Sequence, residues 1–226
     1  MQSALCCAGA AAGFFSGDVK TLADDLKAIR PTVFCGVPRV FTRFYQRFED
    51  TLAKEKDFKR KLVWGSYWAS AHAVRRGGGP GWFDAFLLGK VRAKLGMDRL
   101  RVVVTGAAPC PPYLMEFIRV VLAPTDGVVQ GYGLTETAAA VTASEAKDHT
   151  LGHVGPPLPS AEICLRDVPD MGYSSKNNPP TGEVLARGPS VFAGYYKVRF
   201  IRHITLRSVL HDANCHVFPV EPRCDC

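Results

Sequence analysis

Between Arg101 and Gly133 the chain carries one pattern that restricts its fold more than any other. Arg101-Val102-Val103-Val104-Thr105 is a short β-branched run of the kind a buried strand uses, and it leads into the small-residue turn Gly106-Ala107-Ala108-Pro109. Tyr113 to Leu122 follows, with apolar residues at 114, 117, 118, 121 and 122, which is helical spacing. Gly127-Val128-Val129-Gln130 is a second apolar strand, and it feeds a glycine-rich turn, Gly131-Tyr132-Gly133. Strand, turn, helix, strand, turn is a βαβ unit. Both turns then lie beyond the carboxyl ends of the strands, where open α/β sheets bind their ligands.

The second turn carries usable chemistry. Gln130 to Thr137 reads Gln-Gly-Tyr-Gly-Leu-Thr-Glu-Thr. Its glycines permit a backbone path close to a ligand. Tyr132 offers a flat ring for a base, Thr135 a hydroxyl and Glu136 a carboxylate. A hydroxyl beside a carboxylate suits a phosphate carrying Mg²⁺, a hard cation that shares oxygen ligands between protein and phosphate. In isolation the same residues also read as a strand followed by a glycine-rich turn. Other motifs are absent. Gly131 and Gly133 lack the third glycine of a dinucleotide fingerprint, and Ser144, Asp148 and His149 lack the Gly-x-Ser-x-Gly elbow of a hydrolase. His153 precedes a Gly-Pro-Pro turn and reads as structural.

In this context the sequence resembles the adenylate-forming (AMP-binding) enzymes, and more narrowly the eukaryotic long-chain acyl-CoA synthetases. The resemblance runs from about residue 8 to 197. It rests on Gly13-Phe14-Phe15-Ser16-Gly17-Asp18, Arg30-Pro31-Thr32, Val37-Pro38-Arg39, Thr105-Gly106-Ala107-Ala108-Pro109 and Gly131-Tyr132-Gly133-Leu134-Thr135-Glu136-Thr137. It continues through Val154-Gly155-Pro156-Pro157, Gly182-Glu183-Val184 and Phe192-Ala193-Gly194-Tyr195-Tyr196-Lys197. The resemblance implies a two-step ligase: a fatty acid carboxylate attacks ATP to give acyl-AMP, and coenzyme A then displaces AMP. It assigns Thr135 to the phosphate and Glu136 to Mg²⁺, as the catalytic pair. Tyr132 and the backbone of Gln130, Gly131 and Gly133 fall at the adenine, with Leu134 completing the nucleotide loop. Gly106, Ala107, Ala108 and Pro109 fall along the wall shared by nucleotide and acyl chain.

The implied fold is α/β. Residues 1–150 are expected to form part of the adenylate-forming core, a mainly parallel sheet flanked by helices. Residues 151–197 are expected to form part of a small β-rich subdomain, with strands at Glu162–Arg166 and Gly182–Arg187. The family also has a Ser/Thr/Gly-rich phosphate loop with a Lys, a ribose-binding Asp and a C-terminal catalytic Lys. None of these is found in the 226 residues. Residues 198–226 match nothing in the family, and the stretch reads as an irregular tail from an altered reading frame or retained intron. Its His211, Cys215, His216, Cys224 and Cys226 are too irregularly spaced for a zinc site. The expectation for the chain by itself is a poorly active piece of a ligase. The alternative is a non-catalytic product that binds nucleotide or a partner weakly.

Charge adds one further expectation. From Arg39 to Arg101 there are 15 Lys/Arg against 6 Asp/Glu, within a chain of net charge +7. Asp50 to Arg76 reads as one helix with Leu52, Phe58, Leu62, Val63, Tyr67 and Trp68 buried. A second helix, Trp82 to Leu95, buries Phe83, Phe86, Leu87, Val91 and Leu95. The ordinary reading of the basic residues is a solvated helical face, and peripheral contact with an anionic membrane is the alternative. No nucleic-acid recognition motif accompanies the charge. No apolar run reaches the roughly 18–20 residues of a membrane-crossing helix. The family resemblance implies the cytoplasmic side of endoplasmic reticulum or peroxisome. Ala4 to Phe15 lacks the positive start of a signal peptide and reads as a helix entering a buried strand, with Asp18 capping a helix from Val19 to Ile29. The cysteines of the apolar runs read as buried thiols.

Overall fold

The computed structural model describes residues 7–18, 21–78 and 81–196, and the backbone of 205–206. Three strands build a parallel sheet: β1 (Val33–Gly36), β2 (Val102–Thr105) and β3 (Gly127–Leu134). Their register places Gly36, Thr105 and Gln130 in one row, where β1 and β2 end and the parallel pairing of β3 stops. β4 (Ala139–Ala143) pairs antiparallel with the far half of β3. The expected glycine turn is therefore corrected: Gly131 to Leu134 continues the strand, with an irregularity between Tyr132 and Gly133. The chain reverses only afterwards, through a 3-10 turn at Thr135–Thr137 and a left-handed Ala138. Close approach explains the glycine at 133, because a Cβ there would lie 1.9 Å from the Ala139 carbonyl oxygen.

Helices cover the sheet. α1 (Leu22–Ile29) ends at Arg30, whose left-handed backbone and following Pro31 forbid another turn. α2 (Pro38–Ala53) opens on a proline, where the missing N–H has no helical partner to lose. Its Phe41, Phe44, Phe48 and Leu52 recur at helical spacing and are buried. α3 (Asp57–Arg75) and α4 (Trp82–Leu95) form a hairpin that packs on residues 118–122 and touches α2 through Trp64 and Phe48. α5 (Pro112–Phe117) continues into a π-helical turn, Ile118–Leu122, in which all but Arg119 are buried. Phe48 and Tyr45 of α2 meet Phe117 with ring centroids 5.6 and 5.3 Å apart. Phe48 and Phe117, both buried, each contribute about 1.5–3 kcal/mol of transfer free energy.

Several expectations about the helices are corrected. Residues 50–76 are two helices, broken at Lys54 to Lys56, not one. Phe58 is 78% exposed and Trp68 57%, while Val63, Ser66, Tyr67, Ser70, Ala71 and Val74 form the buried stripe of α3. Small residues let α3 lie close to its neighbours, which a search for large apolar side chains overlooks. In α4 the core position belongs to Leu88; Phe83 and Phe86 face outward. This helix is apolar around most of its circumference, so spacing alone does not select a face. Asp18 lies four residues before the first helical residue, so it is not the N-cap. The helix begins at Leu22, and the Asp18 carbonyl accepts the Thr21 N–H and hydroxyl. Residues 10–16 form no strand, and Phe14 and Phe15 are exposed. Cys7 and Cys35 are exposed as well, whereas Cys110 is buried.

β5 (Glu162–Arg166) and β6 (Glu183–Arg187) pair antiparallel near their expected positions, and the two residues of β7 (Thr205–Leu206) extend that sheet. Val141 of β4 packs with Ile163 and Val184 in a second small core. The rest of the 198–226 tail, with its cysteines and histidines, lies outside the described residues.

Candidate functional site

Where the parallel pairing ends, three segments follow on one rim: Val37-Pro38-Arg39, Gly106-Ala107-Ala108-Pro109 and the extension of β3 from Gly131. The second and third touch. A Cβ on Gly106 would lie 2.7 Å from the Gly131 carbonyl oxygen, so glycine is needed for the two backbones to approach. Ala107 holds a left-handed backbone (φ 64°), and Ala107, Ala108 and Pro109 are exposed along the rim. Gln130 is fixed from behind: its N–H donates to the Ser144 hydroxyl and its carbonyl accepts the Ser144 N–H, both at 2.9 Å. Tyr132 and Leu134 are half-buried against the Val141 cluster.

The turn after β3 presents the polar groups. Thr137 is buried, and its hydroxyl accepts the Leu134 N–H at 3.0 Å while facing the Ala139 carbonyl at 2.8 Å. That pin shapes a turn in which the Thr135 hydroxyl is exposed and Glu136 half-exposed. The Glu136 carboxylate accepts a 2.5 Å hydrogen bond from the Tyr195 hydroxyl. The Glu136 carbonyl accepts the Phe192 N–H at 2.9 Å, and the Phe192 and Tyr195 rings meet edge to face. Donation from Tyr195 holds the Glu136 carboxyl below the usual carboxylate range. The same bond raises the Tyr195 phenol. Glu136 is thus ionised at neutral pH, and the Tyr195 hydroxyl and Phe192 N–H that bond it are neutral groups.

The supports behind this rim were not assigned from sequence. Pro156 and Leu158 bond to Ala143 and Val141, so Val154-Gly155-Pro156-Pro157 backs β4 as β4 backs β3. His153 is buried, accepts the Gly155 N–H on Nδ1 at 3.1 Å, and lies 3.1 Å from Asp148 through Nε2, in keeping with a structural role. Arg119 donates to the carbonyls of Asp148 and His149 and ties this loop to α5.

The sequence profile described as AMP-binding enzyme matches residues 2–196. The chain belongs to the AMP-binding enzymes. Peroxisomal long chain acyl-CoA synthetase 7 of Arabidopsis thaliana is 40% identical over 191 residues, 84% of this chain and 27% of that protein. Long-chain-fatty-acid–CoA ligase 6 of Rattus norvegicus is 38% identical over 200 residues, 87% of this chain and 28% of that protein. Among solved structures, the adenylation domain of a Mycobacterium chelonae carboxylate reductase aligns with a TM-score of 0.59 at 27% identity, covering 80% of this chain and 24% of that one. The A domain of the Segniliparus rugosus carboxylic acid reductase, solved with AMP and a co-purified carboxylic acid, gives 0.56 at 29%, covering 81% and 24%. The chain spans little more than a quarter of the length of the curated relatives it matches.

The fit of this AMP-binding chain to a metal can be tested on its own side chains. Among the described residues no cluster of three or more His, Cys, Asp or Glu exists that could hold a metal ion unaided. Glu136 and the Thr135 hydroxyl supply hard oxygens on an exposed rim. That donor set fits Mg²⁺ arriving with a nucleotide, since this ion commonly takes one or two carboxylates and fills its shell with phosphate and water.

Proposed function

We propose that this chain is the nucleotide-facing interior of a long-chain fatty acid–CoA ligase, activating its substrate with ATP through an acyl-adenylate and passing the acyl group to coenzyme A. The observation that carries this reading is the close approach of Gly106 to Gly131 on a strand extension that leads directly into the ionised Glu136. The turn after β2 lies against the extension of β3 there, and Glu136 follows at the end of that same extension. In this reading Gly106, Ala107, Ala108 and Pro109 wall the site. The strand extension Gln130 to Gly133 runs along the adenine with Tyr132 beneath it, and Leu134 closes the strand end. Thr135 donates its hydroxyl to a phosphate oxygen. Glu136 ligates Mg²⁺, which would neutralise phosphate charge as the carboxylate approaches. The protein's part is chiefly to hold two anions in reacting geometry.

The relatives support long-chain fatty acids as the substrate class. The basic 39–101 region supports peripheral contact with an anionic membrane, on the cytoplasmic face of endoplasmic reticulum or peroxisome. No helix among the described residues is long and apolar enough to cross a membrane. Residues 1–150 act as the nucleotide core and 151–197 as its β-rich companion.

The fraction of the relatives' length that is covered favours a second reading for the 226 residues by themselves: nucleotide binding without turnover. Preorganised phosphate contacts are a large term in such reactions, and the chain contains no Ser/Thr/Gly-rich phosphate loop. The test combines two measurements on the purified chain. Calorimetry with ATP and Mg²⁺ should show binding that Glu136→Ala weakens about tenfold, the worth of one charged contact. An assay with ATP, Mg²⁺, palmitate and coenzyme A should show negligible thioester. Binding indifferent to Glu136→Ala would overturn the site, and robust turnover would overturn the second reading.

A further inference from the structure

At the opposite end of the helical layer, α1, α2, α3 and α4 enclose a groove of about 510 Å³. Its walls are apolar: Phe48 and Leu52 from α2, Val63 from α3, and Leu87, Val91 and Leu95 in one row along α4. Its rim is cationic. Lys27, Arg47, Lys59, Lys90 and Lys94 surround it, against one acid, Glu55. Glu55 is taken by Lys59 and Lys27 by Asp24. Arg47, Lys90 and Lys94 form no salt bridge among the described residues; Arg47 feels the charge of Asp24, and the Lys90 ammonium lies 4.4 Å from the Phe86 ring centroid.

Such a combination selects its ligand by chemistry. Water finds few hydrogen-bonding partners on an apolar wall, so an apolar chain displaces it readily. The excess of cations at the mouth favours an anion, and the volume lies in the ordinary range for small-molecule pockets, roughly 300–1,000 Å³. None of the lining residues belongs to the nucleotide rim. α2 leaves the rim at Pro38, and at 1.5 Å per residue Arg47 to Leu52 lie about 14–21 Å along it, toward the amino ends of the strands.

We propose that this groove is a second acyl site that takes one free long-chain fatty acid, its tail between α2 and α4 and its carboxylate on Arg47, Lys90 and Lys94. The site is separate from the adenylation rim and does not depend on it.

The test uses the 226-residue chain and palmitate bearing a photoreactive diazirine near the tail end, below its micellar concentration. Cross-links should map to residues 47–63 and 87–95. The exposed double variant Lys90→Glu/Lys94→Glu should weaken binding about tenfold, as expected for reversing two surface contacts. Hexadecanol, which lacks the anion, should bind comparably weakly. Val91→Trp, which fills the groove, should abolish the cross-links with the thermal midpoint unchanged. Glu136→Gln should leave binding intact, which separates this result from failure of the adenylation reading. Cross-links confined to residues 105–136, or affinity untouched by both charge reversal and Val91→Trp, would overturn the proposal. So would a charge reversal that releases the chain from phosphatidylserine vesicles yet leaves monomeric palmitate bound.

Discussion

Glu136 was legible in the sequence as a candidate because a carboxylate next to a hydroxyl, just past a glycine-flanked strand, has few structural reasons to exist. Tyr195 was not, because it meets Glu136 across 59 residues of chain and no local pattern encodes that contact. The hydrogen bond between them makes a prediction. Tyr195→Phe removes the donor, so the Glu136 pKa should climb toward its ordinary value of 4.5. The sign follows from the depression. A carboxylate lowered in the folded state stabilises the fold above its unfolded pKa, and that contribution fades as pH falls through the folded value. The stability gap between wild type and Tyr195→Phe should therefore be open at neutral pH and close in acid, as pH falls below the ordinary value of 4.5 and through the lowered folded one. Titration of the Glu136 side-chain carbon by NMR measures the shift, and an unmoved midpoint would show that the hydroxyl does not act on it. A second residue-scale outcome concerns thiols. Burial pushes the Cys110 thiol up to about 11, so it should resist iodoacetamide at pH 8 while exposed Cys7 reacts. Peptide mass spectrometry distinguishes them.

At the scale of elements, two strands between turns announced themselves, while the strand expected before residue 16, the far half of β3 and the helical faces did not. Val102 to Thr105 and Glu162 to Arg166 lie within a residue of their expected bounds, because short β-branched or alternating runs between turns allow little else. The face of α3 was misread because burial there follows Ser66, Ser70 and Ala71, whose small side chains carry almost no hydropathy signal. What fastens α3 to α5 is polar: Arg75 donates two hydrogen bonds, of 2.7 and 3.0 Å, to Glu116. The Glu116 side chain is 10% exposed and that of Arg75 56%. Arg75→Met should therefore leave a nearly buried carboxylate without its partner. Full burial of both groups would make that loss 3–5 kcal/mol, and the exposure of Arg75 lowers the expectation to about 2 kcal/mol. Urea unfolding should show the loss, and Arg75→Lys should recover part of it. The β2–β3 rim offers a parallel test through Gly106→Ala. An added Cβ 2.7 Å from the Gly131 oxygen forces the turns apart, which should cost about 1–3 kcal/mol and weaken ATP binding together.

On the scale of the whole molecule, the fold class and the positive charge were readable, while the distribution of apolar surface was not. The sequence placed Phe58, Trp68 and Phe86 inside helical stripes, and the folded chain turns them outward, with Trp82 86% exposed near Phe83. β1 adds an edge strand whose alternate residues, Val33 and Cys35, are exposed. Aromatic surface and an open strand edge both favour association with another copy. The net charge of +7 opposes it. These two effects respond oppositely to salt. Raising ionic strength from about 0.01 to 0.15 M shortens the screening length from roughly 30 to 8 Å, which removes much of the repulsion and leaves the apolar attraction in place. Sedimentation velocity on the 226-residue chain should therefore show association that grows with salt. The triple variant Phe58→Lys/Trp82→Lys/Phe86→Lys changes only exposed positions, so the fold should persist while the species shifts toward monomer. Sedimentation as a single monomer at every salt concentration would mean that charge or side-chain solvation already masks these surfaces, and the edge-and-aromatic account of self-association would then be wrong.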